Sequence, residues 1–212
     1  MKVFIDFDDT LFNTRDFVID YSRLFIAAGL TPEAYAATYQ EAHRRMGKSI
    51  EVYEAQMHTD AIAKQYPDID IKTLKANILE FLKDTSVYVF PDVVPFLKQA
   101  REKNIQLYIL SFGQSQFQSD KITGTGLTPY FQNIFIAQEK KYEPIIEVMK
   151  RCAPDEPIWF FDDRAEFVRD VNQRLPQVKT VQVTRSEGRY RDTRSPDADL
   201  IVSDFSHMIF PE

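Results

Sequence analysis

The chain has 212 residues, enough for one large domain or one domain with a sizeable insertion, but not for several domains. Hydrophobic residues make up 44% and charged residues 27%, which excludes a disordered or fibrous chain and indicates a globular protein with a core. The 32 acidic and 26 basic residues give a net charge of −6, which argues against nucleic acid and anionic lipid as partners.

Cysteine content and apolar runs bear on the location of the protein. The single cysteine, Cys152, excludes an internal disulfide and a cysteine-cluster zinc site, and it fits a reducing cytosol. The longest apolar runs, such as residues 105–110 and 158–161, are far shorter than the roughly 18 residues of a membrane span. Asp6 comes too early in the chain for a signal peptide. We therefore expect a cytoplasmic protein with no membrane partner.

Short apolar runs that are typical of buried strands alternate with amphipathic segments along most of the chain. Helices are predicted between the runs, for example at 92–103 and 142–151, where apolar side chains recur every three or four residues. This alternation predicts an α/β fold with a doubly wound parallel sheet. The predicted strands cover residues 3–7, 105–110, 134–136, 158–161, 178–183 and, more weakly, 200–202.

Residues 13–85 interrupt this alternation. They contain no convincing strand, and they are far more than a crossover between neighbouring strands needs. We therefore predict a small α-helical domain at 13–85, inserted into a core formed by 1–12 and 86–212. Its tyrosines Tyr21, Tyr35, Tyr39 and Tyr53 lie on apolar stripes, which favours core packing for most of them. Four helices are predicted, with stripes through residues 17–28, 35–46, 50–57 and 71–82, and with N-caps at Thr31, before Pro32, and at Ser49.

Polar residues follow three of the predicted strands at the point where each strand ends. Ligands of open parallel sheets bind beyond the carboxyl ends of the strands, so we expect these residues to converge. Two carboxylates about 4 Å apart repel by about 4 kcal/mol at an effective dielectric near 20, so such a cluster needs a counter-cation. Hard oxygen ligands around an open site suit Mg²⁺. The first strand ends in the segment that contains Asp6, Asp8, Asp9 and Thr10; Ser111 follows the second strand, and Asp162 and Asp163 follow the fourth.

The segment from Asp6 to Thr10 resembles the DxDxT motif of the haloacid dehalogenase superfamily, in its phosphohydrolase branch. The three other motifs of the family follow in order, with the hydroxyl of Ser111, a lysine at Lys141 or Lys140, and the pair Asp162-Asp163. The insertion stands where members of the family carry a helical C1-type cap. The resemblance implies a Rossmann-like core and phosphoryl transfer through an aspartyl-phosphate intermediate.

The resemblance also implies roles for the first two motifs. Asp6 would attack phosphorus, and Asp8 would be the general acid and then the base. Both residues would also bind the metal, Asp6 through its carboxylate and Asp8 through its backbone carbonyl. Thr10 would tie the loop together, and the remaining phosphate contacts would come from Ser111 and the amides of Phe112 and Gly113.

The lysine, the direct metal ligand and the substrate contact are assigned on weaker sequence evidence than Asp6 and Asp8. Lys141 is preferred to Lys140, because Lys141-x-x-Pro144 resembles the family's lysine spacing, but Lys140 stays open. Asp163 would bind the metal directly and Asp162 through water or hydrogen bonds, with the reverse assignment open. Arg15, close behind the first motif, is the candidate for a contact with the substrate. The family usually has glycine where this chain has Asp9.

The function predicted on this basis is that of a Mg²⁺-dependent phosphatase that hydrolyses a small phosphorylated metabolite. The alternatives are a phosphosugar mutase of the same superfamily and a non-catalytic binding descendant of the fold. Dehalogenation is disfavoured, because it does not need Asp8 as an acid and base. Neither the physiological substrate nor the oligomeric state has a motif in the sequence.

Overall fold

The computed structural model describes residues 1–46, 50–208 and 210 of the chain. The strands are β1 (Lys2–Ile5), β2 (His43–Met46), β3 (Ile50–Tyr53), β4 (Gln106–Phe112), β5 (Asn133–Ala137), β6 (Ile158–Asp162), β7 (Val178–Val183) and β8 (Leu200–Val202). The α-helices are α1 (Thr14–Ala27), α2 (Pro32–Glu41), α3 (Ala55–Gln65), α4 (Ile71–Leu82), α5 (Val93–Glu102), α6 (Ser115–Gly124), α7 (Tyr142–Met149) and α8 (Ala165–Arg174).

Six of the strands form one parallel sheet, in the order β5-β4-β1-β6-β7-β8. β1 lies between β4 and β6, with Ile5 paired to Ile109 on one side and to Phe161 on the other. The chain first builds the sheet outward on the β4 side of β1 and then returns to build the other side. This confirms the predicted doubly wound α/β fold, and each of the six predicted strands is present.

Apolar clusters cover both faces of the sheet. Successive side chains of a strand point to opposite faces, so each strand contributes to both clusters. Val3 and Ile5 of β1 pack in one cluster with α5 and the C-terminal residues Phe205 and Phe210. Phe4 points the other way, into a cluster that includes residues of α7 and α8. Burial on both faces is why these strands are almost continuously apolar in sequence.

The segment at 13–85 contains the four helices α1 to α4, and its largest apolar side chains join the cluster on the α5 face of the sheet. Phe17, Tyr21 and Phe25 of α1 are buried, as their helical spacing predicted. The predicted N-cap at Thr31 is confirmed, since its hydroxyl accepts a hydrogen bond from the amide of Ala34. The predicted N-cap at Ser49 lies outside the described residues.

The prediction that this segment contains no strand is wrong. β2 and β3 form an antiparallel pair in which His43 is opposite Tyr53, and the third helix begins only at Ala55. In the sequence Ile50-Glu51-Val52-Tyr53, Glu51 separates the apolar residues Ile50 and Val52, and three of the four residues are β-branched or aromatic; both features favour a strand. Ile50, Tyr53 and Met57 also fit a helical stripe, so the short segment was ambiguous by periodicity alone.

No helix in the described part of the chain is long and apolar enough to cross a bilayer.

Candidate active site

The three central strands bring the predicted motifs together. Asp6 follows β1 directly, Ser111 lies near the end of β4, and Asp162 is the last residue of β6. The amide of Asp6 donates a hydrogen bond to the carbonyl of Phe161 at 2.8 Å, which continues the β1–β6 pairing one residue beyond the strand. The acids that are remote in sequence therefore meet because β1 is the middle strand of the sheet.

Lys141 links two of these acids. Its Nζ lies 2.6 Å from Asp6 Oδ1 and 2.6 Å from Asp162 Oδ2, and all three side chains are almost completely buried. Lys140 points outward instead, and its ammonium pairs with Glu143 at 3.5 Å. The geometry thus distinguishes the two lysines that the sequence left open.

The carboxyl groups of Asp6, Asp162 and Asp163 form a cluster in which one oxygen of each lies within 4.8 Å of the others. Burial raises the pKa of Asp6, with Lys141 opposing the rise and Asp162 adding to it. Burial also raises the pKa of Asp163 well above its usual range, and repulsion by Asp6 and Asp162 raises it further. A bound cation would offset this repulsion, so the cluster fits a hard metal ion.

Hydrogen bonding within the cluster distinguishes Asp162, the last residue of β6, from Asp163, which follows it. Asp162 Oδ2 accepts from Lys141, and its Oδ1 accepts from the amide of Arg164 at 2.9 Å. Asp163 Oδ2 is buried and has no hydrogen-bond partner among the described residues. A buried carboxylate oxygen without a partner is costly, so Asp163 has the better placed free oxygen for a metal.

Asp8 is held by a group of side chains that the sequence reasoning missed. Lys121 Nζ lies 2.6 Å from Asp8 Oδ1, and Gln118 Nε2 donates to Asp8 Oδ2 at 2.6 Å. The hydroxyl of Thr14 also donates to Asp8 Oδ1. Burial would raise the pKa of Asp8, but the charges of Lys121 and Arg189 outweigh burial and lower it.

Lys121 and Gln118 come from α6, which follows the β4 motif. Both are buried, although helix polar residues are usually exposed, and a buried lysine needs a partner. No family motif covers them, so the one signal in the sequence is their three-residue spacing, which places them on one face of a helix that begins just after Gly113.

The loop after β1 has an unusual backbone. Asp9 adopts a φ of +55°, in the left-handed region that glycine tolerates best and aspartate better than most other residues. The positive φ explains why glycine, the usual residue of the family at this position, is suited to it. The Asp9 carboxylate is buried and pairs with Arg189, whose Nε lies 2.7 Å from Oδ2.

A pocket of about 160 Å³ opens above the acids. Asp6, Asp8, Lys141 and Asp163 form part of its floor, and Phe112 and Gly113 line it beside them. The segment at 13–85 contributes a largely aromatic wall, so the interpretation of its tyrosines as mainly core residues was incomplete. The lining residues from this segment are Thr14, Phe17, Val18, Tyr21, Tyr39, His43 and Tyr53.

Three predicted contact residues do not line this pocket. Ser111 is completely buried behind it, where its hydroxyl accepts a hydrogen bond from Gln118 at 2.6 Å. Thr10 is also completely buried, and its carbonyl accepts hydrogen bonds from Arg185. Arg15 is half exposed and pairs with its neighbour Asp16. The structure therefore does not bring Arg15 to the acids.

Comparison with known proteins agrees with the family resemblance of the four motifs. Residues 3–167 match the sequence profile of the haloacid dehalogenase-like hydrolases. The chain is 26% identical to a glyceraldehyde 3-phosphate phosphatase from Methanopyrus kandleri, over 96% of this chain and 91% of that protein. It is 30% identical to a phosphoserine phosphatase from Thermus thermophilus, over 58% of this chain and 51% of that protein.

Solved structures share the fold. A haloacid dehalogenase-like hydrolase from Burkholderia xenovorans LB400 superposes with a TM-score of 0.75 at 17% identity, over 97% of this chain and 93% of that one. The profile match and this similarity confirm the resemblance that the four motifs indicated.

Proposed function

Since the chain belongs to the haloacid dehalogenase-like hydrolases, we propose that it is a Mg²⁺-dependent phosphatase that hydrolyses a small phosphomonoester through an aspartyl-phosphate. The two named relatives, both phosphatases, support a phosphoric monoester hydrolase. The observation that carries the proposal is the pairing of Asp6 with Lys141 at the floor of a pocket that Asp8 also lines.

In this mechanism Asp6 attacks phosphorus and displaces the alcohol of the ester. Lys141 favours the ionised form of Asp6 and so opposes the effect of burial, because the ion pair at 2.6 Å stabilises the carboxylate. Its charge also offsets the negative charge of the phosphoryl group during transfer. Phe112 and Gly113 line the pocket, and their amides are proposed to donate to phosphate oxygens, the Gly113 amide in place of its long hydrogen bond of 3.4 Å to the Ala137 carbonyl.

Asp8 serves both halves of the reaction. The charges of Lys121 and Arg189 favour the carboxylate form of Asp8, so Asp8 takes up a proton from solvent when the negatively charged phosphate binds beside it. As the P–O bond to the leaving group breaks, Asp8 gives this proton to the leaving oxygen. Asp8 then takes a proton from the water that attacks phosphorus in the aspartyl-phosphate, which restores Asp6. Lys121 and Gln118 fix the direction of the Asp8 carboxylate by holding one oxygen each.

The metal would be held by Asp6, by the Asp8 carbonyl and by Asp163, with Asp162 as an outer partner. Asp163 is assigned the direct contact because its buried Oδ2 has no partner among residues 1–46, 50–208 and 210. Mg²⁺ in this position supplies positive charge that lets a phosphate approach a cluster of carboxylates.

Residues 13–85 are proposed to act as the cap of the core. Their aromatic side chains line one side of the pocket and limit its volume to about 160 Å³. This is below the roughly 300–1,000 Å³ typical of sites for drug-sized ligands, which favours a compact substrate. Exclusion of bulk water by such a segment strengthens the charge interactions at the floor.

Activity on an aryl phosphate is expected to require Mg²⁺ and to be abolished by excess EDTA, then restored by adding Mg²⁺ back. Asp163→Asn should raise the Mg²⁺ concentration needed for half-maximal activity by at least about 10-fold, since losing a charged ligand weakens metal binding. Metal titrations of activity, with melting curves to verify folding, measure both effects. Full turnover in EDTA would refute the metal assignment, and an unchanged requirement in Asp163→Asn would transfer the direct contact to Asp162.

Lys121→Met is expected to lower kcat for alkyl phosphates by about 10- to 100-fold. The fall in kcat for aryl phosphates should be clearly smaller. Lys121 fixes the Asp8 carboxylate, and protonation by Asp8 matters most for poor leaving groups. Methionine retains the apolar length that packs among Phe7, Phe12, Phe17 and Phe117. The measurement is the ratio of kcat values for the two ester classes. Equal losses for both would show that Lys121 supports the pocket without acting on proton transfer.

A further inference from the structure

Arg189 is a charged pocket residue that the proposed mechanism does not use. It lies between β7 and β8 and lines the pocket together with Asp8 and Tyr39. Its Nε is anchored to Asp9, while 57% of its side chain remains exposed. Over the described residues, neither Nη1 nor Nη2 of Arg189 forms a hydrogen bond to the protein. The outer edge of the guanidinium is thus available to a ligand.

Asp9, which holds the Nε of Arg189, is energetically unfavourable in two respects. The Asp9 side chain is 1% exposed, and its backbone is in the left-handed region at φ +55°. A buried carboxylate destabilises a fold unless it is paired, and the charged partner of Asp9 in the described structure is Arg189. Asp9 therefore fixes Arg189 in one orientation, which leaves the two Nη groups as a fork that matches a planar carboxylate.

A second arginine lies beside the first. Arg164 also lines the pocket, and its Cζ lies 5.1 Å from the ring centre of Tyr190, while that of Arg189 lies at 5.8 Å. Arg164 pairs with Glu166, and its buried Nε has no partner among the described residues. Two guanidinium groups, each paired with one carboxylate, therefore lie beside the Tyr190 ring on this wall of the pocket.

The surroundings of Arg189 place it on the leaving-group side. It lines the same pocket as Asp8, which lies beside the leaving oxygen in the proposed mechanism. Burial raises the pKa of Tyr39, and the charge of Arg189 opposes that rise, so Arg189 is also close to the segment at 13–85. Since Arg189 shares the pocket with both Asp8 and Tyr39, it borders the space that the departing part of the substrate would occupy.

We propose that Arg189 is a specificity residue that binds a carboxylate on the leaving group, so that the substrate is a small phosphorylated carboxylic acid. This inference rests on the proposed phosphatase function and names its substrate class. The small pocket favours a carboxylate within a few atoms of the ester over a second phosphate.

The test uses two probes with the same three-carbon skeleton and the same phosphate. 3-Phosphoglycerate has a carboxylate where glycerol 3-phosphate has a hydroxymethyl group. For each probe, kcat/KM is measured as substrate, and Ki as a competitive inhibitor of aryl phosphate hydrolysis. The proteins are the wild type, Arg189→Gln and Arg191→Gln. Arg191 is the matched control, because it comes from the same loop, is 59% exposed and pairs with Asp192.

The wild type is expected to prefer 3-phosphoglycerate in kcat/KM or in Ki, and Arg189→Gln should lower that preference by about 10- to 100-fold. Arg191→Gln should keep the wild-type preference. A wild type that does not distinguish the probes, or equal losses for both probes in Arg189→Gln, would overturn the proposal and limit Arg189 to supporting the Asp9 loop. A wild type inactive on the aryl phosphate would contradict the phosphatase function instead.

Discussion

Asp6→Asn is expected to lower turnover by at least about 1,000-fold, the largest loss of any single change in the pocket. The amide cannot attack phosphorus, so the covalent intermediate does not form. Asparagine has nearly the same shape and keeps an oxygen that can accept from Lys141, which lies 2.6 Å from the present carboxylate. The fold should therefore survive. Steady-state rates on an aryl phosphate, with circular dichroism as the check on folding, measure the effect.

Asp8→Asn is the matched control, and it separates the nucleophile from the acid and base. This variant retains the backbone carbonyl at position 8, and the oxygen of its side-chain amide can still accept from Lys121. With an aryl phosphate, whose leaving group needs little protonation, the first step should suffer less than hydrolysis of the aspartyl-phosphate. Acylphosphate should then accumulate on Asp8→Asn above the wild-type level.

The trapping experiment is a rapid acid quench followed by intact mass measurement. The expected result is a phosphoryl adduct on Asp8→Asn that hydroxylamine removes, and no such adduct on Asp6→Asn. An active Asp6→Asn protein that carries the adduct on Asp8 would contradict the mechanism. Robust hydrolysis that depends on neither residue would contradict it as well.

Lys141→Ala is expected to lower kcat by at least about 100-fold, whereas Lys140→Ala should change it by less than about 2-fold. Lys141 is 1% exposed and pairs with both Asp6 and Asp162, while Lys140 is 47% exposed and pairs with Glu143. Removing the shared partner of two buried carboxylates should also destabilise the metal-free protein by about 3–5 kcal/mol.

Lys141→Met distinguishes loss of chemistry from loss of folding, because methionine fills most of the buried space without the charge. Its kcat should fall as far as that of Lys141→Ala, and its unfolding midpoint in urea should lie nearer the wild type. Equal and small losses in Lys140→Ala and Lys141→Ala would show that the third motif has been assigned to the wrong lysine.

The sequence alone predicted the α/β sheet, because strands buried on both faces must be apolar almost throughout. The runs at 158–161 and 178–183 match β6 and β7 closely. The same runs predicted the site, because Asp6, Ser111 and Asp162 stand where three strands end. In a parallel sheet the carboxyl ends of neighbouring strands lie at one edge, so position in the chain was enough.

The pair β2–β3 was missed because short segments such as Ile50–Tyr53 satisfy both helical and strand periodicities. Pairing with a partner strand decides between them, and that partner is selected by tertiary contacts. The substrate contact of Arg15 stays a prediction: it was based on nearness to the first motif in sequence, and in the fold the Arg15 side chain is half exposed and paired with Asp16.

Tertiary structure alone decided which charges face the pocket. Lys140 and Lys141 differ by one position, and the orientation of the chain at the start of α7 buries one and exposes the other. Lys121, Gln118 and Arg189 reach Asp8 and Asp9 from segments more than 100 residues away. These contacts leave no local pattern in the sequence. The interaction energy of two charges depends on their distance in space and on their burial, both of which the fold determines.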